Sequence, residues 1–225
     1  MQIIDMNTTP LRALNTALQA GEAGSAWTVQ NPGGRHALAV GLTEDMSVTI
    51  EGHAGYYAAG MNQKANVTVH GNAGQGVAEN MMSGAVHVKG NASSSAGATA
   101  QGGLLVIDGD AGARCGISMK GVDIVVRGSV GHMSAFMGQS GNLVVCGDAG
   151  EALGDSLYET RIFVRGAVKG LGADCEEKPM SDQDRAILAG LLDRAGITDC
   201  APDDFRRYGS ARTLYHFHVD NSSAY

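Results

Sequence analysis

The chain has 225 residues and a formal net charge of −7, from 16 basic and 23 acidic residues. No run of Lys or Arg interrupts this acidic balance, so we expect neither a nucleic-acid partner nor an anionic membrane surface. No apolar stretch is long enough to cross a bilayer, and the N-terminus lacks the basic region and apolar core of a secretory signal.

Residues 1–32 are expected to form an N-terminal cap. Within them, "TTPLRALNTALQA" predicts a short helix with Thr8 or Thr9 as its N-cap and Pro10 at the first helical position. Such a cap is needed because an open sheet edge exposes unpaired backbone groups that invite aggregation.

The main feature of the chain is a glycine repeat. Glycine accounts for 33 residues, well above the usual ~7%, whereas proline accounts for only 4. From Gly33 onward a glycine recurs every nineteen residues without a slip. The series is Gly33, Gly52, Gly71, Gly90, Gly109, Gly128, Gly147 and Gly166.

Each repeat ends in a short segment of alternating apolar residues. The pairs are Val48/Ile50, Val67/Val69, Val86/Val88, Leu105/Ile107, Ile124/Val126, Leu143/Val145 and Ile162/Val164. Alternation of this kind indicates a strand with one buried face, and strands at a fixed short period bury that face by stacking. The sequence therefore predicts a mainly β fold, a right-handed parallel β-helix of ~19-residue coils over residues 33–172, with short helical caps.

The glycines are expected to serve the scaffold. Some should adopt corner conformations with positive φ, Gly128 among them, and others should allow adjacent coils to approach closely. A second corner set precedes the strands, at Gly84, Gly103, Gly121 and Gly141. No G-x-G-x-x-G opens a helix, so the pattern does not indicate a phosphate site.

One residue in each strand points outward. These residues are polar in the early coils, at Thr49, Thr68 and His87, and apolar in the later ones. The apolar set, which we call the outer ladder, is Val106, Val125, Val144 and Phe163. An apolar stripe of this size is normally covered, here either by the chain's own C-terminal helix or by a partner chain.

Residues 173–225 are expected to form a C-terminal helix and a tail. "SDQDRAILAGLLDRAG" has Ser181 as N-cap, acidic residues in the first turn, and Gly196 as its stop. Its apolar face is formed by Ile187, Leu188, Leu191 and Leu192. The tail over residues 205–225 has no periodic core and is expected to pack on another surface, of its own chain or of a partner.

Chemistry-bearing residues are sparse, and we assign no catalytic, cofactor-binding or metal residue. His53 and His132 each follow a corner glycine, are assigned to one repeat position, and are expected to hydrogen-bond the backbone. His216 and His218 are too few for a zinc site. The mid-repeat methionines, Met61, Met81, Met82, Met119, Met133 and Met137, are predicted to fill gaps in the core.

Four cysteines, Cys115, Cys146, Cys175 and Cys200, lie far apart in the sequence, with no CxxC and no metal-ligand spacing. This pattern predicts reduced thiols, packed as small core residues, in a cytoplasmic protein.

Three mid-repeat phrases carry a family resemblance. "ENMMSG" (79–84), "ISMKG" (117–121) and "SAFMGQSG" (134–141), with the corner glycines, resemble the GXGXG β-helix at the C-terminus of the glutamate synthase large subunit. The resemblance covers roughly residues 33–172, with no amidotransferase or flavin barrel on this chain. The whole sequence is similar to the β-helix subunits of N-methylglutamate synthases, including the ending "GSARTLYHFHVDNSSAY".

The resemblance implies a non-catalytic assembly subunit in a hetero-oligomer. It would bridge an amidotransferase-like subunit and an FMN-binding glutamate-synthase-like subunit, in a complex that converts glutamate and methylamine into N-methylglutamate and ammonia. FMN, and any iron–sulfur cluster, would belong to the synthase partner. This chain has Gln2 where a class II amidotransferase has its nucleophilic cysteine.

Other interpretations stay open. The β-helix component of formylmethanofuran dehydrogenase, and of the related formyltransferase/hydrolase complex, has a similar coil, which would place the chain in one-carbon metabolism. A hexapeptide-type acyltransferase is disfavoured because nineteen is not a multiple of six. A self-contained binding module would use the outer ladder to hold a ligand.

Overall fold

The computed structural model describes residues 1–212, and these form one continuous sheet with two helices. The helices are α1 (Leu11–Gln19) and α2 (Asp182–Arg194), and a 3-10 turn spans Pro202–Asp204. The strands are β1 (Gln2–Asp5), β2 (Ala26–Gln30), β3 (Ser47–Glu51), β4 (Asn66–Val69), β5 (Ala85–Val88), β6 (Leu104–Ile107), β7 (Lys120–Val126), β8 (Ser140–Val145), β9 (Arg161–Val164), β10 (Cys175–Lys178) and β11 (Arg206–Ser210).

The strands stack coil upon coil, which confirms a parallel β-helix. From β1 to β9 each strand pairs in parallel with the next, and Val48, Val67 and Val86 are successive partners nineteen residues apart. A second line of parallel bridges joins Ala54, Ala73, Ala92, Ala111, Val130, Ala149 and Val168. The inward strand residues form one buried core, as the alternation predicted, and the second line also packs into it.

Gly33 and Gly52 adopt positive φ, +58° and +135°, whereas the later glycines of the nineteen-residue series provide close approach between coils. From Gly71 to Gly166 none of its members has positive φ. A Cβ on Gly128 would lie 2.7 Å from the Gly109 carbonyl oxygen and would also overlap Asp110 Oδ1. The expectation of positive φ at Gly128 was therefore wrong. The second corner set does adopt positive φ, for example +80° at Gly84 and +100° at Gly141.

The N-terminal segment contributes more than a helix, because β1 and β2 extend the parallel sheet before the first predicted coil. The predicted threonine cap of α1 is wrong. Thr8 and Thr9 donate their N–H groups to the Asp5 carbonyl, at 3.2 and 2.9 Å, so they close a turn after β1. Pro10 is the N-cap residue, in an extended conformation and without a side-chain cap.

The C-terminal helix follows the prediction. Ser181 caps α2 and forms a reciprocal capping box with Asp184, and Gly196 ends the segment with φ of +66°. Leu188, Leu191 and Leu192 are buried. They form a second apolar cluster with the outer ladder, so the chain's own helix covers that ladder.

The last strands close the far edge of the sheet. β11 pairs antiparallel with β9, and β10 pairs antiparallel with β11. The last strand in the chain, β11, therefore lies between β9 and β10, and β10 forms the edge of the sheet. The end of the predicted tail, residues 213–225 with His216 and His218, lies outside the described residues.

Candidate assembly surfaces

One face of each coil is built from an irregular but strictly repeated backbone. It consists of residues 56–61, 75–80, 94–99, 113–118, 132–137 and 151–156, which we call the turn face. In each coil three residues at alternate positions have φ near +60°, as at Tyr57, Ala59 and Met61. Most of them are not glycine, and each non-glycine residue in this conformation costs about 1–2 kcal/mol.

Hydrogen bonds between coils offset this strain. The N–H groups of Tyr57 and Met61 donate to carbonyls of the following coil, those of Gln75 and Glu79, at 2.8 Å each. The N–H of Ala59 donates in the opposite direction, to Leu38 of the preceding coil, at 2.9 Å. The middle residue is always alanine or glycine and is buried, because its side chain points into the packed interior.

Apart from the buried Gly76, the outer two left-handed residues of each coil are partly or fully exposed, and this corrects the interpretation of the methionines. Met81 and Met119 fill the core as predicted, but Met61, Met82 and Met137 are exposed. Met137 is 51% exposed, and Tyr56 and Tyr158 are exposed nearby in the coil. Tyrosine and methionine are enriched in protein interfaces, so the turn face has the composition of a contact surface.

Polar side chains connect the coils between these apolar residues. Asn80 Nδ2 donates to the Tyr57 hydroxyl at 3.3 Å, and Thr99 Oγ1 donates to Asn80 Oδ1 at 2.6 Å. These residues occupy neighbouring coils, so the turn face is pre-ordered along the helix axis.

A second surface is the uncovered half of the outer sheet face, which we call the open face. Thr28, Thr49, Thr68 and His87 are its outward residues, and all are half-buried. Beside it Asp108 forms a charged cluster, with its carboxylate 2.9 Å from His87 Nε2 and 3.4 Å from Lys89 Nζ. Burial opposes ionisation of Asp108, but the hydrogen bond and charge of His87 and the charge of Lys89 outweigh it and lower its pKa.

The corner histidines are not equivalent, contrary to the prediction. His53 Nδ1 accepts the Asn72 N–H at 2.9 Å, as expected for a backbone-bonding imidazole. It begins a ladder in which the side chains of Asn72, Asn91, Asp110, Ser129 and Asp148 each accept an N–H of the next coil. His132 lies in the register of Tyr56, on the turn face, because it follows a glycine of a different corner.

The cysteines are free thiols, and three of them are buried. Burial raises the pKa of Cys115 and of Cys146 to about 12, and that of Cys175 to about 11. Within residues 1–212 no three His, Cys, Asp or Glu side chains lie close enough together to hold a metal ion. No helix in that range is long and apolar enough to span a membrane.

Fold and surfaces together define a parallel β-helix protein with a helix-covered flank and a repeated, partly apolar turn face. No family model and no solved structure matches the chain. It is 60% identical over 228 aligned residues to Protein GlxC of Rhizobium meliloti (strain 1021), with 100% of both chains covered. The chain therefore belongs to the family of Protein GlxC.

Proposed function

We propose that this chain is a non-catalytic assembly subunit of a glutamate-synthase-related complex, specifically of an N-methylglutamate synthase. In this role it bridges an amidotransferase-type chain and an FMN-binding synthase chain. FMN and any iron–sulfur cluster belong to the synthase chain, and the conversion of glutamate and methylamine takes place on the partners.

The observation that carries this proposal is the match between sequence motif and backbone. The phrases that resemble the glutamate synthase β-helix run through or directly after the turn face. Each includes or follows the third left-handed residue of its coil, at Asn80, Ser118 and Met137. The resemblance therefore involves the most constrained backbone of the repeat, and not only its glycine content.

The exposed methionines indicate where a partner would bind. Met61 and Met137 occupy one register position, and the same position holds Ser118 and Ser156 in other coils. Serine is thus compatible with this backbone, whereas methionine adds apolar surface that the fold does not need. Apolar groups exposed in this way commonly mark a protein contact.

The test is affinity purification of the tagged chain from its native cells, with mass spectrometry and an absorption spectrum of the material recovered. We expect an amidotransferase-like chain and a flavin-bearing chain to co-purify. A formyltransferase-like or a molybdenum or tungsten partner would favour the formylmethanofuran dehydrogenase type of complex instead. A colourless protein recovered alone would contradict the assembly role.

Matched variants locate the contact. Met61→Ser combined with Met137→Ser should leave the coil folded and reduce partner recovery. Ile3→Ser, which removes an exposed apolar side chain from the first strand, is the control and should recover partners normally. Equal recovery with both variants would exclude the turn face as the binding surface.

A further inference from the structure

A polar cleft of about 460 Å³ lies where the last strands meet the sheet. The side chains that define its character are Glu159, Thr160, Arg161, Lys178, Arg207 and Ser210. It is separate from the turn face and from the open face. Its volume is within the range of small-molecule sites.

Strand register places the three cations of the cleft on one side of the sheet. Lys178 and Arg207 are direct partners across β10 and β11, and Arg207 is in turn the partner of Phe163 in β9. Arg161 lies two residues before Phe163 and so points to the same face. The antiparallel insertion of β11 thus gathers positive charge in a protein of net charge −7.

Arg161 and Arg207 share one neighbouring carboxylate, that of Asp184. Asp184 Oδ1 is 3.4 Å from Arg161 Nε and 3.9 Å from Arg207 Nε, while its Oδ2 is engaged by Ser181. One carboxylate oxygen therefore faces two guanidinium groups. Lys178 forms an ion pair with Glu176, and Glu159 is the one acidic residue among the described residues that line the cleft.

Two buried polar groups at the cleft have no partner among the described residues. Thr160 is 1% exposed, and its hydroxyl makes no hydrogen bond. Arg207 Nε is likewise buried and makes none. Buried donors without partners are uncommon and costly in folded proteins, so their presence beside a cleft calls for an acceptor there.

We propose that this cleft binds the oxyanion group of a small metabolite, a carboxylate or a phosphate. Arg161 and Arg207 offer planar N–H donors suited to two-oxygen contacts, and Lys178 adds a point charge. The buried Thr160 hydroxyl completes the set of donors. This site goes beyond the assembly role, because it requires no partner chain.

The test is isothermal titration of the full chain with inorganic phosphate and, separately, with glutarate, at constant ionic strength. We expect saturable binding of one equivalent of at least one probe, and the preferred probe identifies the oxyanion. Arg207→Gln and Lys178→Gln should each weaken binding about tenfold. Arg206→Gln, on the same strand but the opposite face, removes the same charge and should leave the affinity unchanged.

Thr160→Val separates a ligand role from a structural one. If the Thr160 hydroxyl hydrogen-bonds the ligand, its removal should weaken ligand binding. The melting temperature of the ligand-free chain should rise slightly, because a buried hydroxyl without a partner is removed. No saturable binding of either probe would overturn the proposal. So would equal weakening by Arg206→Gln and Arg207→Gln, because the attraction would then be general electrostatics rather than a site.

Discussion

The outer sheet face has two halves that share the same backbone pairing, but only one of them is covered by α2. On the open face, Thr49 and Thr68 are half-buried and face solvent, whereas Val125 and Val144 occupy the same register beneath α2 with no exposed surface. Inward residues do not distinguish the halves, since they are buried throughout. One outward residue per coil therefore decides whether a segment packs on the sheet.

This difference indicates that the coil stack and the helix-covered flank depend on separate contacts. The stack rests on coil-to-coil packing, whereas the flank rests on the outer ladder, the leucines of α2 and the Ser181–Asp184 cap. Changes in the shared coil should damage both halves, and changes in the outer ladder should damage one.

The largest effect is expected from Gly128→Val, which affects both halves. The new Cβ would lie 2.7 Å from the Gly109 carbonyl oxygen, a backbone atom of the preceding coil that already accepts the Gly128 N–H, so we expect a loss of about 3 kcal/mol in unfolding free energy. Chemical denaturation followed by circular dichroism measures it. Gly170→Ala is the control, since no atom lies within 4 Å of the added Cβ, and a similar loss there would contradict the close-approach explanation.

Val144→Asp should break the covered half alone. It buries an unpaired charge against the leucines of α2, a cost of about 3–5 kcal/mol that the chain can avoid by releasing the helix. Hydrogen exchange should show loss of protection in α2 and retention in β3–β5, and Cys146 should become open to alkylation. Thr68→Asp, at the equivalent open position, should cost about 1 kcal/mol or less.

If Val144→Asp abolishes protection in β3–β5 as well, the two halves form one cooperative unit. The separation between coil stack and flank would then be wrong.

Acid should loosen the covered half through Asp184. Burial opposes its ionisation, but hydrogen bonds from Ser181 and the charges of Arg207 and Arg161 outweigh it and lower its pKa. A carboxylate with a lowered folded-state pKa stabilises the fold above its unfolded pKa, and this contribution is lost as pH falls through the folded value. We expect α2 to lose protection below about pH 4.

Asp184→Asn tests the assignment. It should cost about 1 kcal/mol at pH 7, as the loss of a capping interaction does, and it should reduce the acid dependence of α2 protection. Unchanged acid dependence in this variant would point to other carboxylates, of which Asp108 beside the open face also has a lowered pKa.

The smallest expected effect is an increase in stability, at Gly190 of α2. Gly190 lies in α2, and no atom lies within 4 Å of an added Cβ, so Gly190→Ala should stabilise the covered half by about 0.5–1 kcal/mol. The midpoint of thermal unfolding of α2 measures it. Gly196→Ala is the matched control and should destabilise the chain, because the φ of +66° at this position disfavours alanine. Stabilisation by both variants would contradict the conformational explanation.

The sequence by itself determined the features that follow from local pattern. The nineteen-residue period, the inward apolar pairs, the capped α2 and the outer ladder were all predicted from spacing and residue type, whereas the choice of α2 rather than a partner chain as the cover of that ladder came from the structure. Each of these features depends on which residues share a face. That is set by the residue period of the structure: two for a strand, 3.6 for an α-helix and nineteen for the coil.

Only the tertiary structure decided how neighbouring coils meet. The role of Gly128 and the exposure of Met61 and Met137 depend on contacts between residues about nineteen positions apart. The pairing of β1 and β2 and the insertion of β11 beside β9, which forms the cationic cleft, depend on the same kind of contact. Local residue preferences do not reveal such contacts. An alanine or methionine in the left-handed conformation is unfavourable by itself and becomes stable only when an adjacent coil supplies hydrogen bonds.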